Sequence, residues 1–393
     1  MPAQQSNAPL ILGWGHTRFG KLQAQTLESL VVEAGSAALQ DAGVDPDEID
    51  LVVFANFNSG MHPLGFPSSL ALQIDDGLRD VHAIRVENAC ASGSAAVQTA
   101  LTAVLAGSAS RVLVIGAEKM TGIPAETVGS ALLGADYEAA GGEAGNGFAS
   151  LFAEVADEYE RRYGVVSDSL GSIASKSHGL GALNPLAHLR KPLSVEECRR
   201  VSESNPRVAG VLRRTDCSPV SDGAAALVIG AAPGRSGHAP VRFAGWGAAS
   251  DFLPRAKKDA LEFRGSEVAW RRALASAGAA LEDLDFIELH DCFTIAELNL
   301  YEVLGIAPRG EGRRAIDEGW VLPSGRLPVN PSGGLKAKGH PVGATGVSQH
   351  VLAAMQLTGT FPGKQLDSPR MAGLHNMGGL AVANYASVLA ATE

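Results

Sequence analysis

The chain has 393 residues, with 32 basic and 42 acidic side chains, a formal charge of −10, 46% hydrophobic content and 46 glycines. So apolar a chain with so modest a charge is not disordered, and glycine without a three-residue period is not collagen-like. The acidic balance argues against general nucleic-acid binding, and no run of about 18 apolar residues offers a membrane span.

Residues 1–20 hold only the short apolar run Leu10-Ile11-Leu12 with no basic segment before it, and Ala391-Thr392-Glu393 is no targeting tripeptide. Four scattered cysteines, none in a Cys-x-x-Cys pair, suggest neither a disulfide framework nor a zinc site. Reduced thiols and a cytoplasmic location are therefore expected.

An internal repeat organises the chain. Residues 37–54 carry Leu39, Ala42-Gly43, the acidic turn Asp47-Glu48-Ile49-Asp50 and then Leu51-Val52-Val53-Phe54. Residues 272–289 carry Leu274, Ala277-Gly278, Glu282-Asp283-Leu284-Asp285 and then Phe286-Ile287-Glu288-Leu289, at a constant offset of 235. Each reads as a helix ending in glycine, an acidic turn and a buried strand.

A second match sits at an offset of 250. Cys90-Ala91-Ser92-Gly93 opens a small-residue helix with Val97, and His340-Pro341-Val342-Gly343 opens another with Val347. Two matching units in the same order imply a duplicated α/β domain.

The apolar runs 111–116 and 224–230, bounded by glycine, predict strands buried on both faces of a mostly parallel sheet. Between them, residues 120–210 are richer in charge. They hold a helix over 151–163, with Glu154, Asp157, Glu158, Arg161 and Arg162 on its polar side, and polar loops such as 178–192. This stretch has no counterpart in the second half and reads as an inserted lobe, a substrate lid or an oligomer contact.

The chemistry concentrates at strand and helix ends. Cys90 follows a strand reaching Val86 and stands at a helix start, where the dipole and free N–H groups favour thiolate. A lone cysteine there is more often a buried structural residue. The repeat tips the balance, because it puts His340 at the matching helix start, where a base could meet a nucleophile. Glu288-Leu289-His290-Asp291-Cys292-Phe293 ends a repeat strand, and ligands bind beyond such ends. His290 and Cys292 fall on one side, fit to donate to an oxyanion and to carry a proton. Asp291, on the other side, reads as structural. The glycine-rich segment 331–346 lacks phosphate-loop and dinucleotide spacing and more plausibly allows close backbone approach around His340. His375-Asn376-Met377-Gly378-Gly379 precedes the last apolar strand and could offer backbone N–H donors.

Together, Cys90-Ala-Ser-Gly, Asp222-Gly-Ala-Ala-Ala, His290-Asp-Cys-Phe, Asn330-Pro-Ser-Gly-Gly and Gly339-His-Pro-x-Gly-Ala-Thr-Gly resemble the thiolase superfamily, with His-Asp-Cys-Phe most similar to the sterol-carrier-protein type. The resemblance covers nearly the whole chain. It implies a duplicated βαβαβαββ fold with an inserted loop domain: residues 1–120 and 211–235 for the first half, 121–210 for the insertion, 236–393 for the second half.

The same resemblance implies cleavage of a 3-oxoacyl-CoA by coenzyme A, a co-substrate, with no tightly bound cofactor and no metal. It also implies a homodimer or homotetramer, with room for a small accessory protein. Cys90 would take the acyl group and His340 would activate it. Cys292 would be the acid/base at the acetyl carbon, and His290 with His340 would hold the thioester oxygen. The backbone N–H groups of Cys90 and Gly378 would form a second oxyanion hole. Ser218 and Phe293 would contact the pantetheine arm, and Phe148 would bear on the acyl group. The usual late Cys-x-Gly motif reads His375-Asn376-Met377-Gly378 here, so the acid/base role falls to Cys292. A decarboxylating ketoacyl synthase would use Cys90, His290 and His340 and leave Cys292 superfluous. A side-chain retro-aldolase would need no nucleophilic cysteine, and an acyl-CoA-binding subunit no chemistry at all.

Overall fold

The computed structural model describes residues 8–58, 61–143 and 145–392. Its first half runs β1 (Leu10–His16), α1 (Leu27–Ala42), β2 (Leu51–Ala55), β3 (His82–Val86), α2 (Ser92–Leu105), β4 (Arg111–Glu118). An excursion follows, with α3 (Ala125–Leu133), α4 (Phe148–Tyr163), α5 (Ser167–Leu183), α6 (Val195–Arg199), β5 (Arg207–Ala209) and β6 (Leu212–Arg213). The half closes with β7 (Gly223–Gly230). The second half is β8 (Val241–Ser250), α7 (Arg264–Ala277), β9 (Phe286–Glu288), α8 (Thr294–Val303), α9 (Gly312–Asp317), α10 (Gly334–Lys338), α11 (Thr345–Leu357), β10 (Met371–Gly378) and β11 (Ala383–Ala391).

Nine strands form a sheet in the order β3-β2-β4-β7-β1-β8-β11-β10-β9. Read outward from its centre, each half repeats the same pairing: antiparallel, antiparallel, then parallel. The third strand of the second half is reduced to one parallel bridge, Ile287 to Val329. Within the sheet, among the described residues, the halves pair at Leu10 with Arg242 and Ile11 with Val241.

The 235-residue repeat has a physical basis. α1 and α7 both stop at a left-handed glycine, Gly43 at φ 59° and Gly278 at φ 65°, the conformation that costs glycine least. After the acidic turn, Asp50 accepts from the N–H groups of Ser110 and Arg111 at the head of β4. Asp285 accepts likewise from Arg370 and Met371 at the head of β10. Each carboxylate ties one strand start to the next.

The layers follow from which faces are apolar. α1 covers one face of the first half through Leu30, Val31 and Ala34 against Val52, Phe54 and Leu113. α2 and α11 lie together between the two sheet halves, with Val97, Leu101, Val347 and Val351 packed on Val53, Val114, Phe243 and Leu374. α7 and α8 cover the other outer face, where α4 and α5 join the same core. Burial of this continuous apolar surface is the main stabilising term.

Three expectations are corrected. The sheet is mixed, since β7 is antiparallel to both neighbours. Its complete burial comes from helices on both faces rather than from parallel connectivity. The polar run 178–192 is helical as far as Leu183, and its His178 and Leu180 are buried, because α5 packs under α10 and α8. The second repeat register is 253, not 250: α2 and α11 begin at Ser92 and Thr345, and Gly93 packs on Gly346. His340 therefore lies in the loop between α10 and α11, five residues before the helix.

The excursion between β4 and β7 spans 119–222, whereas β10 and β11 are joined by 379–382. Among the described residues no helix is long and apolar enough to cross a membrane.

Candidate active site

Cys90 sits on a tight turn between β3 and α2. Ala89, immediately before it, holds a left-handed φ of 49°, which for a non-glycine residue costs about 1–2 kcal/mol. Ser92 braces the turn: its hydroxyl donates to Ala89 O at 2.6 Å and accepts from Asn88 N at 2.9 Å. The turn presents a half-buried thiol to a cavity of about 910 Å³.

The other reactive groups reach the same cavity from the second half. His290 and Cys292 lie in the loop beyond β9 rather than on it, and both line the cavity. Asp291 turns away to accept from Leu335 N at 2.6 Å and from Lys336 N at 3.3 Å. Gly334, at φ 61°, is required there, because a Cβ would lie 2.0 Å from the Asp291 carboxylate. His340 enters from the α10–α11 loop, its ring 5.2 Å from that of His290 with the planes at 86°. Donor atoms of Cys90, His290 and His340 all lie within 4.8 Å of one another.

Ser218, Phe293 and Phe148 line the cavity as well. Ser218 N donates to Cys292 O at 2.9 Å, and Phe293 stacks on Phe152 with centroids 4.6 Å apart. Gly378 does not line it. The Gly379 N–H favours the Cys90 thiolate, whereas Gly378 packs against the carbonyl of Asn88. Gly379, one residue beyond the expected donor, lines the cavity. Among the described residues that line the cavity, Lys21 is the one lysine or arginine.

Burial dominates the electrostatics. It pushes the Cys90 thiol up to about 12, although the N–H groups of Gly379 and of Cys90 itself pull the other way. Desolvation thus outweighs the helix N-terminus that was expected to favour thiolate. Burial pushes Cys292 well above the ordinary thiol range, with the Cys90 and Asp291 charges adding to it. His340 falls to about 3, through burial and then the nearby Lys338 cation. His290 falls well below the usual imidazole range, through burial and then His340. All four shifts favour the uncharged forms, thiols and neutral imidazoles.

Three contributors carried no role in the sequence reading. Glu118, at the end of β4, accepts from Phe57 N, Asn58 N and the Asn56 amide of one half and from Gly343 N of the other. Asn376 and Thr345 hold the two histidines. Strand alternation was the available signal for Asn376, since on β10 it shares a face with Gly378.

The sequence and the fold agree on an assignment. Residues 10–232 match the description "Thiolase, N-terminal domain" and residues 247–391 match "Thiolase C-terminal domain-like". The chain belongs to the thiolase family. It is 33% identical over 373 residues to the acetyl-CoA acetyltransferase of Methanothermobacter thermautotrophicus, covering 94% of this chain and 96% of that one. It is 30% identical to human sterol carrier protein 2, over 94% of this chain and 69% of the relative. The solved Ltp2-ChsH2(DUF35) aldolase superposes with a TM-score of 0.79 at 23% identity, covering 99% of both chains, a likeness of fold. Membership of the thiolase family makes the protein an acyltransferase enzyme and accounts for the duplicated halves.

Proposed function

We propose that the protein cleaves a 3-oxoacyl-CoA with coenzyme A, releasing acetyl-CoA and an acyl-CoA shortened by two carbons. The observation that carries this reading is the convergence of two cysteines and two histidines on one cavity. Thiolysis needs a nucleophile, a base, an enolate-oxygen donor and a carbon acid.

The Cys90 proton passes to Nε2 of His340, and the thiolate attacks the ketone carbon. The N–H groups of Cys90 and Gly379 hold the tetrahedral oxygen, each such donor contributing on the order of 3 kcal/mol. The C–C bond breaks, its electrons pass to the acetyl thioester, and His290 and protonated His340 hold the enolate oxygen. Cys292, a thiol kept protonated by burial, donates to the carbon and becomes thiolate. Incoming CoA returns a proton to Cys292 and attacks the acyl-Cys90. The Cys90 sulfur then leaves and recovers its proton from His340.

Cys292 distinguishes this reading from a decarboxylating synthase or a retro-aldolase, neither of which needs a second thiol. Lys21, an exposed residue of the cavity lining, suits a CoA phosphate, and the apolar wall of Phe148, Phe152 and Phe293 suits the pantetheine arm and an acyl chain. The outer edge of β3, unpaired in the sheet and leading to the Cys90 turn, favours pairing with a second copy.

A thiolysis panel tests the proposal. Short, long, branched and steroid 3-oxoacyl-CoA esters are mixed with CoA, and acetyl-CoA release is followed. Turnover of at least one ester is expected. Carbon dioxide release from a malonyl thioester without thiolysis would instead assign a synthase.

A further inference from the structure

Each site histidine has one ring nitrogen held by a group whose own polarity is fixed. Thr345 Oγ1 lies 2.6 Å from His340 Nδ1 and 3.0 Å from the carbonyl oxygen of Pro341. The Pro341 carbonyl, which also takes the N–H groups of Ala344 and Thr345, can only accept. A Thr345 proton given to His340 Nδ1 instead would put the ring proton on Nε2, an orphaned buried donor, so we assign the hydroxyl proton to Pro341. The hydroxyl oxygen then accepts from His340 Nδ1–H. That leaves Nε2 of His340 bare, and this nitrogen is buried without any partner.

The second histidine is held the opposite way. Asn376 Nδ2 lies 3.1 Å from the carbonyl oxygen of Cys90 and 2.9 Å from His290 Nδ1. The Cys90 carbonyl can only accept, which orients the amide with its NH₂ toward both atoms. His290 Nδ1 therefore accepts. A neutral ring carries its single proton on the other nitrogen, Nε2.

We propose that Thr345 and Asn376 are positioning residues that hold His340 and His290 in opposite tautomers. His340 thereby presents a lone pair to Cys90 and His290 presents an N–H to the enolate oxygen. The roles rest on the thiolase reading, whereas the tautomers do not. Two like imidazoles, equally deep in one site, are so given opposite work by their second partners.

Neutron diffraction from the wild-type protein at neutral pD reads the tautomers without any variant. Deuterium is expected on Nδ1 of His340 and on Nε2 of His290; deuterium on the same nitrogen of both rings overturns the proposal. Two variants then test the roles. In Asn376→Asp the carboxylate accepts from His290 Nδ1–H and turns Nε2 into an acceptor. Thiolysis should fall about 10²–10³-fold, as for loss of an oxyanion donor. Exchange of labelled CoA into a saturated acyl-CoA forms no enolate and should survive. Thr345→Val should slow both reactions by roughly 10²–10⁴-fold, as for a misplaced base, and Thr345→Ser should restore them. Wild-type thiolysis in Asn376→Asp, or equal loss of both its reactions, counts against the proposal. Failure of the thiolase reading itself would show differently, as a wild-type protein that neither exchanges nor cleaves.

Discussion

Gly93 of α2 and Gly346 of α11 pack backbone against backbone. A Cβ on Gly93 would lie 2.7 Å from the amide nitrogens of Gly346 and Val347, and one on Gly346 would lie 2.2 Å from that of Ser94. This contact between the pseudo-equivalent helices sets the Cys90 turn beside the His340 loop. Everything the site does depends on that closeness.

Gly93→Ala should therefore destabilise the protein although alanine is the better helix former by about 1 kcal/mol. The overlap is with backbone that cannot rotate aside, and overpacking of this kind costs typically 1–3 kcal/mol. A lower denaturant midpoint with reduced thiolysis is expected. A midpoint equal to or above wild type would contradict the packing argument.

The neutral resting pair has a pH signature. With Cys90 raised to about 12 and His340 lowered to about 3, thiolate is a minor species at pH 7 and grows tenfold per pH unit. Iodoacetamide alkylation of Cys90 should climb through pH 9 without levelling. A plateau between pH 6 and 8 would reveal a thiolate–imidazolium pair instead.

Glu118 links the halves through four donors, two on each carboxylate oxygen. Glu118→Gln sets an NH₂ against two of them and strands buried N–H groups. A loss of about 1–3 kcal/mol per unsatisfied group is expected in equilibrium unfolding. An unchanged unfolding curve would show that the loops stand without it.

Lys21 offers a test of where CoA enters. Lys21→Glu should raise the KM for CoA several-fold at low salt while leaving the KM for a pantetheine thioester, which lacks the nucleotide phosphates, unchanged. An equal change for both would place the phosphates elsewhere.

Much of the fold was legible because two devices are written locally. Gly43 and Gly278 need a left-handed backbone, and Asp50 and Asp285 each cap a following strand, so the repeat survives in the residues themselves. The strand directions were not legible, since burial on both faces looks the same in β7 whichever way its neighbours run. Cys90, His290, Cys292 and His340 were visible as motif residues that meet at one cavity. Which backbone N–H serves as the second donor was not legible, because backbone donors leave no side-chain trace. Asn376 and Thr345 escaped notice because their importance lies in proton direction, which only the three-dimensional network fixes. Cys90 sits at the start of a helix as expected, yet burial reverses the pKa shift that position suggests.

The acyl-enzyme is the central claim, and intact-protein and peptide mass spectrometry after mixing with an acyl-CoA measure it most directly. The account predicts one acyl group on Cys90, discharged by added CoA and absent from Cys90→Ala. Cys292→Ala should still acquire it from a saturated acyl-CoA, while its thiolysis drops about 10²–10⁴-fold for want of the carbon acid. An unmodified Cys90 alongside measurable turnover, or full thiolysis in Cys292→Ala, would contradict it.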